Sequence, residues 1–491
     1  MKILFTQDAL VNAGAERSHL EILSRFSEEL DVGFVYFYPK HDLREAYERA
    51  GIRLFFLNIP EGYHFTLAVS RLISLIRKEK PDLLVSSLWR ADIITRIASF
   101  FTGVPLVGTL VNDSYAPMAW TDKKGFKYKV VYWVDRLTAG IPCHWIANAH
   151  ALADSHVKTL GIERGKISVV YRGRPVIASA AKQSFEENSK PKEKIASATK
   201  SPEDNSKLKE SSLAMTSPVE TASAAESFDI KSEISDSSLP PQRAGAVTNP
   251  EETAYPDSVG IPVTDDVIAR EERPKQSLME IADRFVVRES EPIRNFISYG
   301  RLLERKGFQD AIRAFAKVYE TYPDCTLTIF GEGLYRNQLE TLIQELKLQN
   351  AVFLPGRISN PMELLISNWN AHRTSDIGHR TSFHCFLFPS WYEGFSGALV
   401  EAMMAGIPII ASDIPMNLEA IEDKKTALVF RVQNIEELAK QIIWSIEHPE
   451  AMQNLGTQAR RISEERFDIE KIAKQYEDVL KSLYHQLSQS H

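Results

Sequence analysis

Apolar positions in this chain alternate between two rhythms. Short continuous runs, as in residues 2–6 (KILFT), read as buried strands, and stretches such as 15–30 repeat apolar residues at helical spacing. Further strands are predicted at 32–38, 54–57, 83–86, 106–109, 145–147 and 167–171, with helices between them, notably 66–80 and 91–102. Strand and helix in alternation imply right-handed crossovers and a parallel sheet. Residues 1–173 therefore read as one Rossmann-like domain on the N-terminal side.

The rhythm stops near residue 177. Up to Phe285 the sequence is rich in Ser, Lys, Glu, Ala and Pro, and its aromatics before that point are Phe185, Phe228 and Tyr255. Such a segment buries too little apolar surface to offset chain entropy, so 177–288 is predicted to be a disordered insertion. It reads either as an inert insertion between domains or as a tail-like binding segment. Alternation then resumes, with strands at 296–300, 325–330, 352–354, 385–388, 409–411 and 428–430. Helices are predicted at 308–322, 335–346, 362–367 and 399–405, and from 435 onward the pattern is almost entirely helical. The resulting division is a second Rossmann-like domain over 290–465, a polar and basic loop insertion at 369–383, and a C-terminal helix at 466–491. The fold class is α/β, two such domains with a long insertion between them.

Composition narrows the function. Of 491 residues, 44% are hydrophobic and 25% charged, ordinary for a globular protein, and the net charge of −7 disfavours nucleic acid as the main partner. Cys143, Cys325 and Cys385 are scattered and lack CxxC spacing, so neither disulfides nor a zinc site is expected. His144, His150 and His156 recur at a spacing that no single helix or strand face shares, and no metal site is predicted. The opening MKILFTQD is too short an apolar run for a signal peptide, and no run approaches the ~18 apolar residues of a membrane span. A cytoplasmic location is expected.

The chemistry concentrates in 389–415, PSWYEGFSGALVEAMMAGIPIIASDIP. Glu393 and Glu401 stand eight positions apart, which at about 3.6 residues per turn returns to one helix face. With Glu393 just before a helix and Glu401 within it, both address one crevice beside the free N–H groups of the helix start. Anions favour such a terminus, and a carboxylate two turns on accepts hydrogen bonds from a sugar or ribose hydroxyl. A surface helix with two solvated glutamates is the alternative. Three features weigh against it. The run 300–307, GRLLERKG, places Arg301 and Lys306 to clamp an anion after a strand. The run 330–333, FGEG, puts Gly331 where backbone approaches a ligand closely. NAGAE at 12–16 joins the first strand to the first helix without the GxGxxG spacing of a dinucleotide site.

In this order these motifs resemble glycosyltransferase family 4, retaining enzymes with two facing Rossmann-like domains. The resemblance covers 1–173 and about 290–485. It implies a nucleotide-sugar donor held mainly by the second domain. Arg301 and Lys306 would neutralise the diphosphate and stabilise the leaving nucleotide, with Glu393 facing the donor sugar. Glu401 would hold the ribose, and the backbone of Gly394, Phe395 and Ser396 would lie near sugar or phosphate. Gly14 would admit the diphosphate from the first domain. No cofactor and no divalent metal are expected. One departure stands out: many members carry a histidine in the loop after the strand at 105–109, where this chain reads Leu110-Val111-Asn112-Asp113-Ser114. Asn112 or Asp113 is then the candidate sugar contact.

The expected activity is retaining transfer of a hexose-type sugar from UDP, or next GDP, to a hydroxyl of a cell-surface glycan or lipid-linked acceptor. Substitution Lys306→Ala is expected to abolish turnover with little loss of stability. A catalytically silent glycan-binding or scaffold protein of the same fold is the rival reading, and donor hydrolysis separates the two. Residues 120–136, WTDKKGFKYKVVYWVDR, mix lysines with aromatics. They form either a surface that rests on the inner face of an anionic membrane or a helix whose aromatics enter the core.

Overall fold

The computed structural model of the protein describes residues 1–60, 62, 64–115, 126–176, 295–358, 360–365 and 384–489. The expected insertions at 177–288 and 369–383, and residues 120–125, lie outside the described residues.

The first half is a sheet of β1 (Lys2–Gln7), β2 (Asp31–Tyr36), β3 (Arg53–Phe56), β4 (Leu83–Ser86), β5 (Leu106–Leu110), β6 (His144–Ala147) and β7 (Ile167–Val169). Its order is β3-β2-β1-β4-β5-β6-β7, with every pairing parallel. Helices α1 (Gly14–Leu23), α2 (Arg44–Arg49), α3 (Phe65–Glu79), α4 (Trp89–Thr102), α5 (Phe126–Thr138) and α6 (His150–Leu160) make the crossovers. Ile3, Leu4 and Phe5 are all buried because β1 is covered on both faces, which is why the run reads as continuously apolar.

The second half repeats the plan. Strands β8 (Asn295–Tyr299), β9 (Thr326–Phe330), β10 (Val352–Gly356), β11 (His384–Phe388), β12 (Ile409–Ser412) and β13 (Leu428–Phe430) follow the order β10-β9-β8-β11-β12-β13, again parallel. The helices are α7 (Phe308–Thr321), α8 (Arg336–Glu345), α9 (Gly397–Ala405), α10 (Pro415–Ala420), α11 (Ile435–Glu447), α12 (Pro449–Arg466) and α13 (Ile469–Gln489). Strand order reverses direction between β1 and β4 in one sheet and between β8 and β11 in the other, the points where open α/β sheets bind ligands.

Two features differ from the sequence pattern, for one reason. Helix α1 ends at Leu23 although apolar spacing continues to Leu30. The chain turns there to meet α13, where the Ser27 N–H and Oγ donate to Glu477 at 2.9 and 2.5 Å. Helix α13 is therefore no appendage. Its Ile469, Ile472, Ala473, Tyr476 and Leu480 share one core with Ile3, Phe5, Ile22 and Leu23 of the first half. Each large apolar side chain so buried contributes about 1.5–3 kcal/mol.

Helix α5 docks by its polar side. The buried Arg96 of α4 pairs with Asp92 and with Asp135 of α5 (2.7 Å), donates to Thr138 Oγ1 (2.8 Å) and lies over the Trp145 ring. The other face of α5 is apolar and open, with Phe126, Val130, Trp133 and Leu137 at 79, 44, 55 and 77% exposure. The core placement of these aromatics is thus set aside for Phe126 and Trp133, while Tyr132 turns inward to donate to Thr159 O at 2.9 Å. Among the described residues no helix is long and apolar enough to cross a membrane.

Candidate functional site

Two turns leave the C-terminal ends of β8 and β11, flanking the reversal point of the second sheet. After β8 the chain passes Gly300 and Arg301 into a 3-10 turn, Glu304–Lys306, closed by Gly307 in the left-handed region at φ +67°. A Cβ on Gly307 would lie 2.1 Å from Pro389 O, so only glycine lets the two turns touch. They are also joined by Trp391 N–H donating to Arg305 O at 2.8 Å, and by Trp391 Nε1 donating to Asp310 Oδ2 at 2.6 Å. This clamp brings Lys306 Nζ onto Glu393 Oε1, which also accepts from Ser390 Oγ at 2.9 Å. Burial disfavours both charges. It draws the Lys306 ammonium below its ordinary value, while for Glu393 the charges of Lys306 and Arg305 outweigh burial and hold the carboxyl below its own.

Arg301 is exposed, and its charge acts on both Lys306 and Glu16 of the first half. Gly331, at φ +155°, backs the same region: a Cβ there would lie 1.9 Å from Gly300 O. The FGEG turn thus supports the turn that carries Arg301.

Glu393 precedes α9 and Glu401 lies within it, as the spacing predicted. Glu401 is the hub of a buried polar network: Oε1 accepts from Arg174 Nε at 2.7 Å, and Oε2 from Tyr299 OH at 2.8 Å. Arg174 also pairs with Glu21 of α1 at 3.0 Å. Burial opposes the Arg174 charge, but Glu21 and Glu401 hold its pKa above the usual value. A Cβ on Gly397 would lie 2.1 Å from Arg174 Nη2, so that glycine leaves the guanidinium its seat.

The first half reaches this region through two loops. The loop after β5 lies against Gly394, where a Cβ would sit 2.0 Å from Val111 O and 3.5 Å from Asn112 Cα. Asn112 is exposed, whereas Asp113 is buried and accepts from Ser155 Oγ at 2.8 Å. Of the two sugar-contact candidates, only Asn112 is open to a ligand. Asn148 Oδ1 accepts from Phe395 N–H at 3.3 Å, and Phe395 is itself buried beside Tyr171 and Phe467. Ser396 is the N-cap of α9 and makes no side-chain cap bond, leaving the helix start to other partners. The second loop, after β1, is held by Arg357 Nη2 donating to Asn12 O at 2.8 Å, and leads to Gly14 at the start of α1.

Sequence reasoning passed over Tyr299, Asn148, Arg172 and Arg174. Tyr299 looked like one more apolar strand position. Asn148 stands in a helix-entry turn that any polar residue suits. The two arginines flank Gly173 in the connector at the end of the first half. A paired cation beside a domain boundary is the signal that could have pointed to them.

Two family models match the chain in sequence: one described as Glycosyltransferase Family 4 over residues 13–176, and one as Glycosyl transferases group 1 over 280–462. An uncharacterised glycosyltransferase of Methanocaldococcus jannaschii is 37% identical over 118 residues, 24% of this chain and 25% of that protein. The N-acetyl-alpha-D-glucosaminyl L-malate synthase of Bacillus anthracis is 30% identical over 205 residues, 42% and 49% of the two chains. The chain thus spans between a quarter and a half of the length of these curated relatives. Among solved structures, Anabaena HepE in complex with UDP-glucose aligns with a TM-score of 0.63 at 17% identity, covering 98% of this chain and all of that one. At that identity the likeness establishes the shared fold.

Proposed function

The chain belongs to glycosyltransferase family 4, and on that premise we propose that it transfers a hexose-type sugar from a nucleoside diphosphate to a hydroxyl acceptor. UDP is the first choice of nucleotide and GDP the second. The observation that carries this reading is the Lys306–Glu393 pair, assembled from turns 87 residues apart at the reversal point of the second sheet. A cation there, with Arg301 beside it, suits the diphosphate and the charge that develops on the leaving nucleotide. Glu393 then faces the donor sugar and Glu401, eight positions on, the ribose. Asn112, carried against Gly394 by the loop after β5, takes the place in which many relatives have a histidine. Because side-chain cations and helix starts hold the phosphates, the reading needs no divalent metal and no cofactor. Retention of anomeric configuration follows the family, through attack on the face the nucleotide leaves.

The acceptor in this reading is a cell-surface glycan or its lipid carrier. The outward apolar stripe of α5 and the exposed Phe100 and Phe101 at the end of α4 support a peripheral seat on the inner face of an anionic membrane. A screen of UDP-, GDP- and ADP-sugars for hydrolysis without acceptor tests the proposal. Turnover of one donor, lost in Lys306→Met, is the expected result. Neither hydrolysis nor binding of any of them would leave the silent glycan-binding reading in its place.

A further inference from the structure

The connector that follows β7 carries two arginines in opposite circumstances. It is rigid: the Arg174 N–H donates to Phe467 O at 2.9 Å, and the Ile469 N–H donates back to Arg174 O at 3.1 Å. Gly173 lies flat on the start of α13, where a Cβ would sit 2.7 Å from Ile469 Cα. Tyr171 is wedged between Phe395 and Phe467. Arg174 has all its partners. Arg172, two residues earlier, makes no hydrogen bond or ion pair among the described residues. Yet it is far from a solvated surface cation: its residue surface is only partly exposed, and burial, helped by the neighbouring Arg174 charge, lowers its pKa to about 10.

Nor do the nearby carboxylates answer it. Glu16, Glu21 and Glu393 attract it only at a distance. Glu21 is paired with Arg174, and Glu393 is committed to Lys306 and Ser390. His19 adds no charge, since burial, with Arg172 next, holds its pKa down to about 4. A cation that protein surrounds and does not pair is costly, and a protein that holds it rigidly in that state leaves it for a ligand.

Its position identifies the ligand. A Cβ placed on Gly14 would lie 3.4 Å from Arg172 Nη1, so the guanidinium stands at the first residue of α1. Ala13, the N-cap of that ten-residue helix, makes no side-chain cap bond, and of the first-turn N–H groups beside the guanidinium only that of Glu16 is accepted by a side chain, its own carboxylate. Resting on the donor reading above, we infer that Arg172 is a ligand of the donor's diphosphate. It is a third cation, carried by the connector between the halves and opposed to Lys306 and Arg301. The planar fork suits two phosphate oxygens at once. Because the connector also anchors Arg174 on Glu401, one short segment carries the added diphosphate ligand and holds the carboxylate assigned to the ribose.

Isothermal titration of UDP and of inorganic pyrophosphate into wild type, Arg172→Ala and Arg172→Lys tests this, alongside ligand-free melting curves. The expected result is a parallel loss for both ligands in Arg172→Ala, roughly ten- to a hundredfold, as for a charged hydrogen bond. Arg172→Lys keeps the charge without the fork and should lose several-fold, a readout that stands even where the alanine variant fails to fold. Unchanged affinities with a lower melting temperature would make Arg172 a structural counter-charge for Glu16 and overturn the inference. Wild type that binds pyrophosphate but no nucleotide would sink the donor reading and leave the anion site. Binding of neither ligand would overturn both.

Discussion

Replacing Lys306 by methionine keeps most of the side chain's volume and removes its charge, which leaves Glu393 enclosed without its cation. Breaking a buried pair from one side costs about 3–5 kcal/mol. Two features reduce that here. The partners retain 16% and 14% side-chain exposure, so some solvent reaches them. Removing the lysine also removes the cost of desolvating its ammonium, which shows as a pKa below the ordinary 10.5. A loss of about 1–3 kcal/mol at pH 8 is therefore expected, larger than sequence reasoning alone allowed for this position. The loss depends on pH in a definite direction. In wild type the folded Glu393 titrates below its unfolded value of 4.5, so its stabilising share is complete above that value and fades as pH falls through the depressed folded one. In the variant, burial without the lysine raises the Glu393 pKa, so the variant loses stability as pH climbs above 4.5. The gap between the two proteins should open from about pH 4.5 upward and close below it. Urea unfolding followed by tryptophan fluorescence from pH 4 to 8 measures it. Adding Glu393→Gln should restore stability and leave turnover absent. A gap of equal size at pH 4 and pH 8, or a double variant no more stable than the single one, would refute the reasoning.

Gly394→Ala should cost about 1–3 kcal/mol, because its Cβ meets the Val111 carbonyl at 2.0 Å and backbone must part to admit it. Turnover should fall more steeply than stability, since that contact sets the loop carrying Asn112; an alanine variant with full activity would show that the contact is not needed. Asp8 is pushed up to about 7, mainly by burial, so its protonation stabilises the folded state and that share is lost as pH rises from about 4 to about 7. Asp8→Asn should exceed wild type by on the order of 2–4 kcal/mol at pH 8 and match it below pH 4, and a pH-independent difference in unfolding would contradict this. Phe126→Ser/Trp133→Ser should cut sedimentation with phosphatidylglycerol vesicles at least tenfold without changing the melting temperature, at about 1.5–3 kcal/mol for each lost insertion. Equal sedimentation would remove α5 from membrane contact.

The doubly wound architecture was legible because buried parallel strands are written as local apolar runs, and each run here begins and ends within a few residues of its strand. The second-half site was legible for the same reason: Arg301, Lys306, Gly331 and Glu393 sit in turns that follow strands, and Glu401 lies in the helix that the last of these turns opens, so sequence order fixes spatial order. What sequence could not give depends on contacts between distant segments. The return of α13 onto α1 rests on a face that only tertiary packing defines, and it cuts α1 short at Leu23 against its own periodicity. The division of labour between Arg172 and Arg174 rests on which carboxylates come near, and Glu21 of the first half lies far along the chain from Glu393 and Glu401 of the second. For α5 the pattern was ambiguous in principle, since an aromatic stripe reads alike whether it faces core or solvent. The buried Arg96–Asp135 pair decided it from the opposite side of the helix.

The second-half turn pair is the proposed seat of a nucleoside diphosphate. Calorimetric titration of UDP into wild type and into Lys306→Met/Glu393→Gln, a pair chosen to preserve folding, tests that seat directly. Saturable binding by wild type, weakened at least tenfold in the double variant at equal thermal stability, is the predicted result. Binding of equal strength in the two proteins would contradict it.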